Sequence, residues 1–440
     1  MKSFEGKYSY CRSTKYFALP LLLPCLLTVV NFLALFLIFF PTLLIAQPEA
    51  VDHDKYPFIN YDQNKIYAPD TSLLAPFFGK VRRMLLNGDK QVNIVHIGDS
   101  HIQADIFTGK LRQELQDFIP GGNGGRGFVF PYSMAHTNNP VNYKVSYTGK
   151  WFGCRNVQYD RDCPLGLAGI SVSTPDSFTN FTITPTGIVS NYYDYTHIKL
   201  FYSAPAGMYR IQLMNTDSHN IATVSNKDGI IEWQLKEPIT EVEISISRLK
   251  DTLTDFTITG MELGTDDPGL IYNSVGINGA ELLSWLRCQY LEKDLKAINP
   301  DLIIISLGTN DAYGKTFNTD TFRNRYFTLL RRIRTALPGV PIILTSPGDN
   351  YRKVHKHSFD NENNTAARKA IFQIAKKDGD AVWDFFTVMG GLKSMQTWYS
   401  NGLTAKDKVH MDAQGYYLQA DLMFEALIAS FDDYLGTHKR

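Results

Sequence analysis

Four short blocks of this chain hold residue types suited to nucleophilic chemistry. Residues 92–101 run Val-Asn-Ile-Val-His-Ile-Gly-Asp-Ser-His. A β-branched apolar run stops at Gly98-Asp99-Ser100 and a helix-like segment follows over Ala104–Phe118, which predicts Ser100 at a strand-to-helix turn on the carboxyl edge of a sheet. Backbone N–H groups at such a turn favour developing negative charge, so a serine there is placed to act as a nucleophile. Near the other end, Asp407-Lys408-Val409-His410 sets a carboxylate three residues before a histidine. That spacing lets the carboxylate hold Nδ1–H and leaves Nε2 outward as a base. Asn310, in Gly308-Thr309-Asn310-Asp311, can donate a side-chain amide to an oxyanion. Gly276, within Asn273–Gly279, lets a backbone N–H come close to a ligand. Each block alone has a plainer use: a capping turn at Gly98-Asp99-Ser100, a helix cap at Asn310, a tight turn at Gly276, ordinary loop residues at Asp407 and His410. The chemistry requires that all four reach one edge.

The predicted elements allow it. Leu73–Leu86 fits a helix ahead of the Ser100 strand. From Gly264 onward strands alternate with helices: a strand at Asp301–Leu307, a helix at Phe322–Leu337, a strand at Val340–Thr345, a helix at Asn363–Lys377, a strand at Ala381–Phe386 and a closing helix at Ala413–Phe431. That alternation predicts right-handed βαβ units and a parallel sheet, whose ligands sit beyond the carboxyl ends of the strands. Between Pro140 and Gly264 the pattern is different. Short alternating runs at Tyr195–Tyr202, Gly207–Met214, Gly229–Leu235 and Thr240–Ile246 predict an antiparallel β-sandwich or jelly roll inserted into the α/β domain.

In order along the chain, Gly98-Asp99-Ser100, Gly276, Gly308-x-Asn310 and Asp407-x-x-His410 resemble the four blocks of the SGNH, or GDSL-like, hydrolases. The resemblance implies a three-layer α/β/α, flavodoxin-like domain. It makes Ser100 the nucleophile, His410 the base and acid, and Asp407 its orienting carboxylate. The Ser100 and Gly276 N–H groups and the Asn310 side chain would form the oxyanion hole. Gly98–His101, Asp105, Thr108-Gly109, Gly121–Gly127 and Tyr272–Ala280, with a β domain between the Ser and Gly blocks, are similar to bacterial peptidoglycan O-acetylesterases. Lys408 departs from that pattern, since many relatives carry Gly there. The expected activity is removal of O-acetyl groups from a cell-envelope polysaccharide. Acetyl transfer, an esterase acting on another glycan, and a non-catalytic envelope glycan-binding protein are the alternatives. His101 and Asp105 flank the nucleophile and either shape the pocket or cap and pack the helix.

The remaining features bound this reading. Lys and Arg equal Asp and Glu at 44 each, so charge gives no case for a nucleic-acid partner. Lys2, Lys7, Arg12 and Lys15 precede an apolar run from about Phe17 to Ala46. Such a segment marks export, as a cleaved leader or as a retained inner-membrane anchor, with the rest periplasmic or in the envelope. The expected divisions are 1–46 leader, 47–72 linker, 73–139 and 265–440 hydrolase, and 140–264 insert. Cys154 and Cys163 are either a disulfide or two thiols, and Cys288 reads as a buried apolar residue of an amphipathic helix over Ala280–Lys296. No Cys/His cluster has zinc-ligand spacing, and the chemistry calls for no cofactor or metal. Trp151, Tyr192, Tyr193 and Trp233 are either core residues of the insert or platforms for sugar faces.

Overall fold

The computed structural model describes residues 51–437 apart from 71, 89, 119–120, 187–192, 251–253 and 355–356. The leader, at 1–46, and Tyr192 lie outside the described residues. At the centre is a six-stranded sheet in the order Ile66–Tyr67, Ala381–Trp383, Ile342–Thr345, Leu302–Ser306, Gln91–Gly98, Gly269–Gly276. Five strands are parallel, and Ile66–Tyr67 is an antiparallel edge. Numbered along the chain, the five parallel strands stand 2-1-3-4-5, the flavodoxin-like order, with its switch point between Gln91–Gly98 and Leu302–Ser306.

Side chains leave a strand on alternate faces, and both faces of this sheet are covered. Val92, Ile94, Leu302 and Ile304 pack with residues of helices Ala75–Asn87, Phe107–Phe118 and Ala413–Thr437. Val95, Ile97, Ile303 and Ile305 pack with residues of Leu282–Leu286, Leu291–Ile298, Thr319–Ala336 and Asn363–Asp378. The expected parallel-sheet α/β fold with added antiparallel sheets is therefore what is observed.

The antiparallel part consists of two sheets. One orders Ile221–Lys227, Ile230–Ile239, Tyr195–Ser203, Phe256–Gly264, Ile170–Thr174 and Phe152–Arg155, with Gly127–Val129 also paired to Phe256–Gly264. The other orders Tyr143–Tyr147, Phe178–Pro185, Val242–Arg248 and Tyr209–Leu213. Inward residues of both, such as Ile231, Trp233, Phe181 and Ile244, share one apolar cluster with Val95 and Ile97 of the parallel sheet. The β-rich stretch is thus fused to the α/β layers through a common core. Trp151, Tyr193 and Trp233 are buried in that core, and Trp151 Nε1 donates to the Thr148 carbonyl. These three are packing residues: strand alternation turns Trp233 inward, and Trp151 and Tyr193 are buried just ahead of strands Phe152–Arg155 and Tyr195–Ser203. Cys154 and Cys163 form a disulfide, and Cys288 is buried.

Three local expectations change. Residues read as a linker are partly ordered against the domain: Ile66–Tyr67 joins the sheet, Ile59 is buried, and Val51 N donates to Glu425. The single helix expected over 280–296 is two, Leu282–Leu286 and Leu291–Ile298. The segment Ala104–Phe118 is also interrupted. A four-residue helix at Ser100–Gln103 ends, Asp105 takes φ +52°, and the longer helix starts at Phe107.

Asp105 explains the interruption. Its buried carboxylate accepts from Arg112 Nη2 at 2.8 Å, Arg126 Nη2 at 2.5 Å, Thr108 Oγ1 at 2.6 Å, Asn142 Nδ2 at 2.6 Å and Ser274 Oγ at 2.8 Å. Burial alone would raise this carboxyl, but the two guanidiniums hold it well below the usual carboxylate range. Five side chains from four segments are tied to one anion, which offsets its left-handed backbone. Asp105→Ala should destabilise the fold by about 3–5 kcal/mol, measured by chemical denaturation, because two buried cations lose their shared partner.

Candidate active site

The Ser100 turn is built by close backbone approach. A Cβ on Gly98 would lie 2.2 Å from Ile102 Cγ1, and one on Gly276 would lie 2.4 Å from Gln103 N and 2.6 Å from Asp99 O. Only glycines let the short helix Ser100–Gln103 settle onto the ends of these two paired strands. Asp99 caps that helix, its Oδ1 accepting from His101 N at 3.0 Å. Burial pushes the Asp99 carboxyl up to about 6, against the bonds it receives.

His410 approaches from the loop before the closing helix. Its Nε2 is 2.8 Å from Ser100 Oγ, across 310 positions of sequence. Its Nδ1 is 2.7 Å from Asp407 Oδ2. Asp407 Oδ1 also accepts the Val409 and His410 amides at 2.9 and 3.1 Å, closing the loop around one carboxylate. Burial works against ionisation of Asp407, yet the His410 bond and these two amides hold it well below the usual range. For His410 the Asp407 bond is the largest influence and raises its pKa, opposed by burial.

His101 packs beside the pair, its ring centroid 5.1 Å from that of His410 and its Nδ1 2.9 Å from Tyr416 Oη. Burial pulls His101 down to about 3, so this ring stays neutral and gives His410 an uncharged neighbour. Its partner Tyr416 lies far along the chain, and no local pattern signals the contact.

Asn310 follows strand Leu302–Ser306 across the switch point. Its Nδ2 donates to Asp99 Oδ2 at 3.2 Å and to the Ala280 carbonyl at 3.0 Å. An oxyanion here would take one of these hydrogens, most readily the longer bond to Asp99. Ser100, Gly279, Asn310, Asp407, His410 and Tyr416 line one open cleft of about 660 Å³. Gly276 does not reach that cleft. It is buried in register with Gly98, and its carbonyl accepts from Tyr132 Oη at 3.1 Å. Gly279, exposed and at φ +79°, lines the cleft instead. Four of the five expected residues are therefore brought together, and Gly279, three positions further along, lines the cleft in place of Gly276.

The comparisons with known proteins agree with this architecture. The GDSL-like lipase/acylhydrolase family model matches residues 262–418. A peptidoglycan O-acetylesterase structure is 22% identical, with a TM-score of 0.69, covering 84% of this chain and 99% of its own. An acetyl xylan esterase is also 22% identical, with a TM-score of 0.30, covering 36% of this chain and 80% of its own. A lipase/acylhydrolase from Enterococcus faecalis is 19% identical, with a TM-score of 0.29, covering 37% of this chain and 77% of its own. No curated protein matches the chain. Residues 262–418 are thus similar to the GDSL-like acylhydrolases, as the sequence blocks suggested, and the fold over most of the chain is like that of the O-acetylesterase structure.

Asn310→Ala should keep the fold and lower turnover of a small acetate ester on the order of a hundredfold to a thousandfold. Melting temperature and initial rates, compared with the unaltered chain, check both halves of that expectation.

Proposed function

We propose that this chain is a serine esterase that removes O-acetyl groups from a cell-envelope polysaccharide, with peptidoglycan the foremost substrate. The observation that carries the reading is the Ser100–His410–Asp407 arrangement, with bonds of 2.8 and 2.7 Å. Neutral His410 takes the Ser100 proton as Oγ attacks the acetyl carbonyl. The oxyanion is met by the Ser100 N–H, the Asn310 amide and the Gly279 N–H, which takes the place expected of Gly276. Collapse breaks the C–O bond to the sugar, and His410 returns the proton to the departing hydroxyl. Water, deprotonated by His410, then attacks the acyl-enzyme; the bond to Ser100 Oγ breaks, His410 returns the proton to Oγ, and acetate is released.

The polysaccharide assignment draws support from the likeness to a peptidoglycan O-acetylesterase along 84% of the chain. The basic flank and apolar run at 17–46 favour export, by cleavage or by anchoring to the inner membrane. Among the described residues no helix is long and apolar enough to cross a membrane. We place the hydrolase in 73–139 and 265–440 and give the β-rich 140–264 a role in holding the polymer. Its outward aromatic residues Phe152 and Phe178, 59% and 61% exposed, suit that role better than buried Trp151, Tyr193 and Trp233.

On p-nitrophenyl acetate, Ser100→Ala should lose all activity above background, and retained hydrolysis by this variant would refute the mechanism. The pH dependence follows from His410. A base works only when neutral, and the Asp407 bond raises its pKa above the ordinary 6.5. kcat/KM should therefore fall as pH drops through a midpoint above 6.5. Asp407→Asn should move that midpoint down and lower kcat by about 10²- to 10⁴-fold.

A further inference from the structure

Lys408 stands between Asp407 and His410 in a conformation that costs a side chain. Its φ is +53°, in the left-handed region that favours glycine. Its ammonium is nonetheless held on three sides. Nζ lies 4.6 Å from the ring centroid of Tyr351, 4.6 Å from that of Tyr399, and 2.7 Å from Gln396 Oε1. Tyr351 begins the hairpin Tyr351–Val354/His357–Asp360, and its N–H donates to the Lys408 carbonyl at 2.9 Å. Gln396 and Tyr399 lie on helix Ser394–Ser400. The loop is also closed on itself, Ala405 N donating to His410 O at 2.9 Å and Lys408 N to Ala405 O at 3.1 Å. Backbone and side chain of this one residue therefore fasten the Asp407–His410 loop to two separate elements.

We propose that Lys408 is a positioning residue: its ammonium, clamped between Tyr351 and Tyr399, fixes the loop so that His410 meets Ser100 and Asp407 at once. The inference rests on the reading of His410 as the base. A glycine here would adopt the same φ without strain but would leave the loop free to move. A lysine whose charge is enclosed by two rings accepts the strain and restricts the loop. The groups facing His410 are Ser100, Asp407, His101 and the nearby Asp99 carboxylate, none of which the substitutions below alter.

The test uses the full chain and p-nitrophenyl acetate. Lys408→Met should lower kcat about tenfold with KM changed less than about twofold, since misplacing a base slows the reaction without removing binding contacts. The acid limb of its pH profile should move down, because a loosened Asp407 bond no longer raises His410. Lys408→Arg, which keeps a cation between the rings, should stay within about threefold of the unaltered rate. Tyr399→Leu makes the same test from the helix if Lys408→Met fails to fold, and should reproduce the loss. Unchanged kcat and acid limb in Lys408→Met, or in Tyr399→Leu, would overturn the proposal. So would equal losses in Lys408→Met and Lys408→Arg at unchanged melting temperature. Hydrolysis surviving in Ser100→Ala would instead overturn the reading of the site, whatever Lys408 does.

Discussion

Ser100 Oγ and His410 Nε2 meet at 2.8 Å although 310 residues separate them in the chain. Everything else in the molecule can be understood as what it takes to hold that contact. The serine is fixed by the carboxyl end of a central strand and two glycines that admit a short helix at backbone distance. The histidine arrives on a loop whose Val409 and His410 amides turn toward one carboxylate, which also holds the ring Nδ1. Neither position is rigid by itself; each is imposed by the sheet and by the helices that cover it.

The 2-1-3-4-5 strand order has a direct chemical consequence. At the switch point the chain leaves neighbouring strands in opposite senses, opening a crevice at their carboxyl ends. Ser100 follows one of these strands and Asn310 the other, so hydroxyl and amide face a shared cleft without either element bending. Asp99 sits between them, capping the serine helix and receiving the Asn310 amide. It links the alignment of the Ser100 helix to that of the Asn310 amide, in a setting dry enough to raise its own pKa.

Much of this was legible in the amino-acid order. Ser100, Asn310, Asp407 and His410 each follow a strand or precede a helix, where an apolar run breaks into polar residues, and the structure gathers all four. Gly276 and Gly279, three residues apart, precede the same helix, and the amino-acid order alone does not say which of them meets the cleft. Only the pairing of Gly276 with Gly98 buries the first and leaves Gly279 on the cleft. The break at Asp105 was equally hidden. Its partners Arg126, Asn142 and Ser274 are distant in sequence, and together they override the helical period of 104–118. Strand aromatic residues of the insert are ambiguous for a simpler reason: a period of two says that faces alternate, not which face is inward, and packing turns Trp233 into the core.

The central claim is that one serine, and no other, is activated by His410. Treating the full chain with a fluorophosphonate and mapping the modified peptide tests it most directly. The account predicts a single adduct per chain on Ser100, forming far more slowly when His410 is replaced by alanine. An adduct on a different residue, or labelling of Ser100 at the same rate without His410, would contradict it.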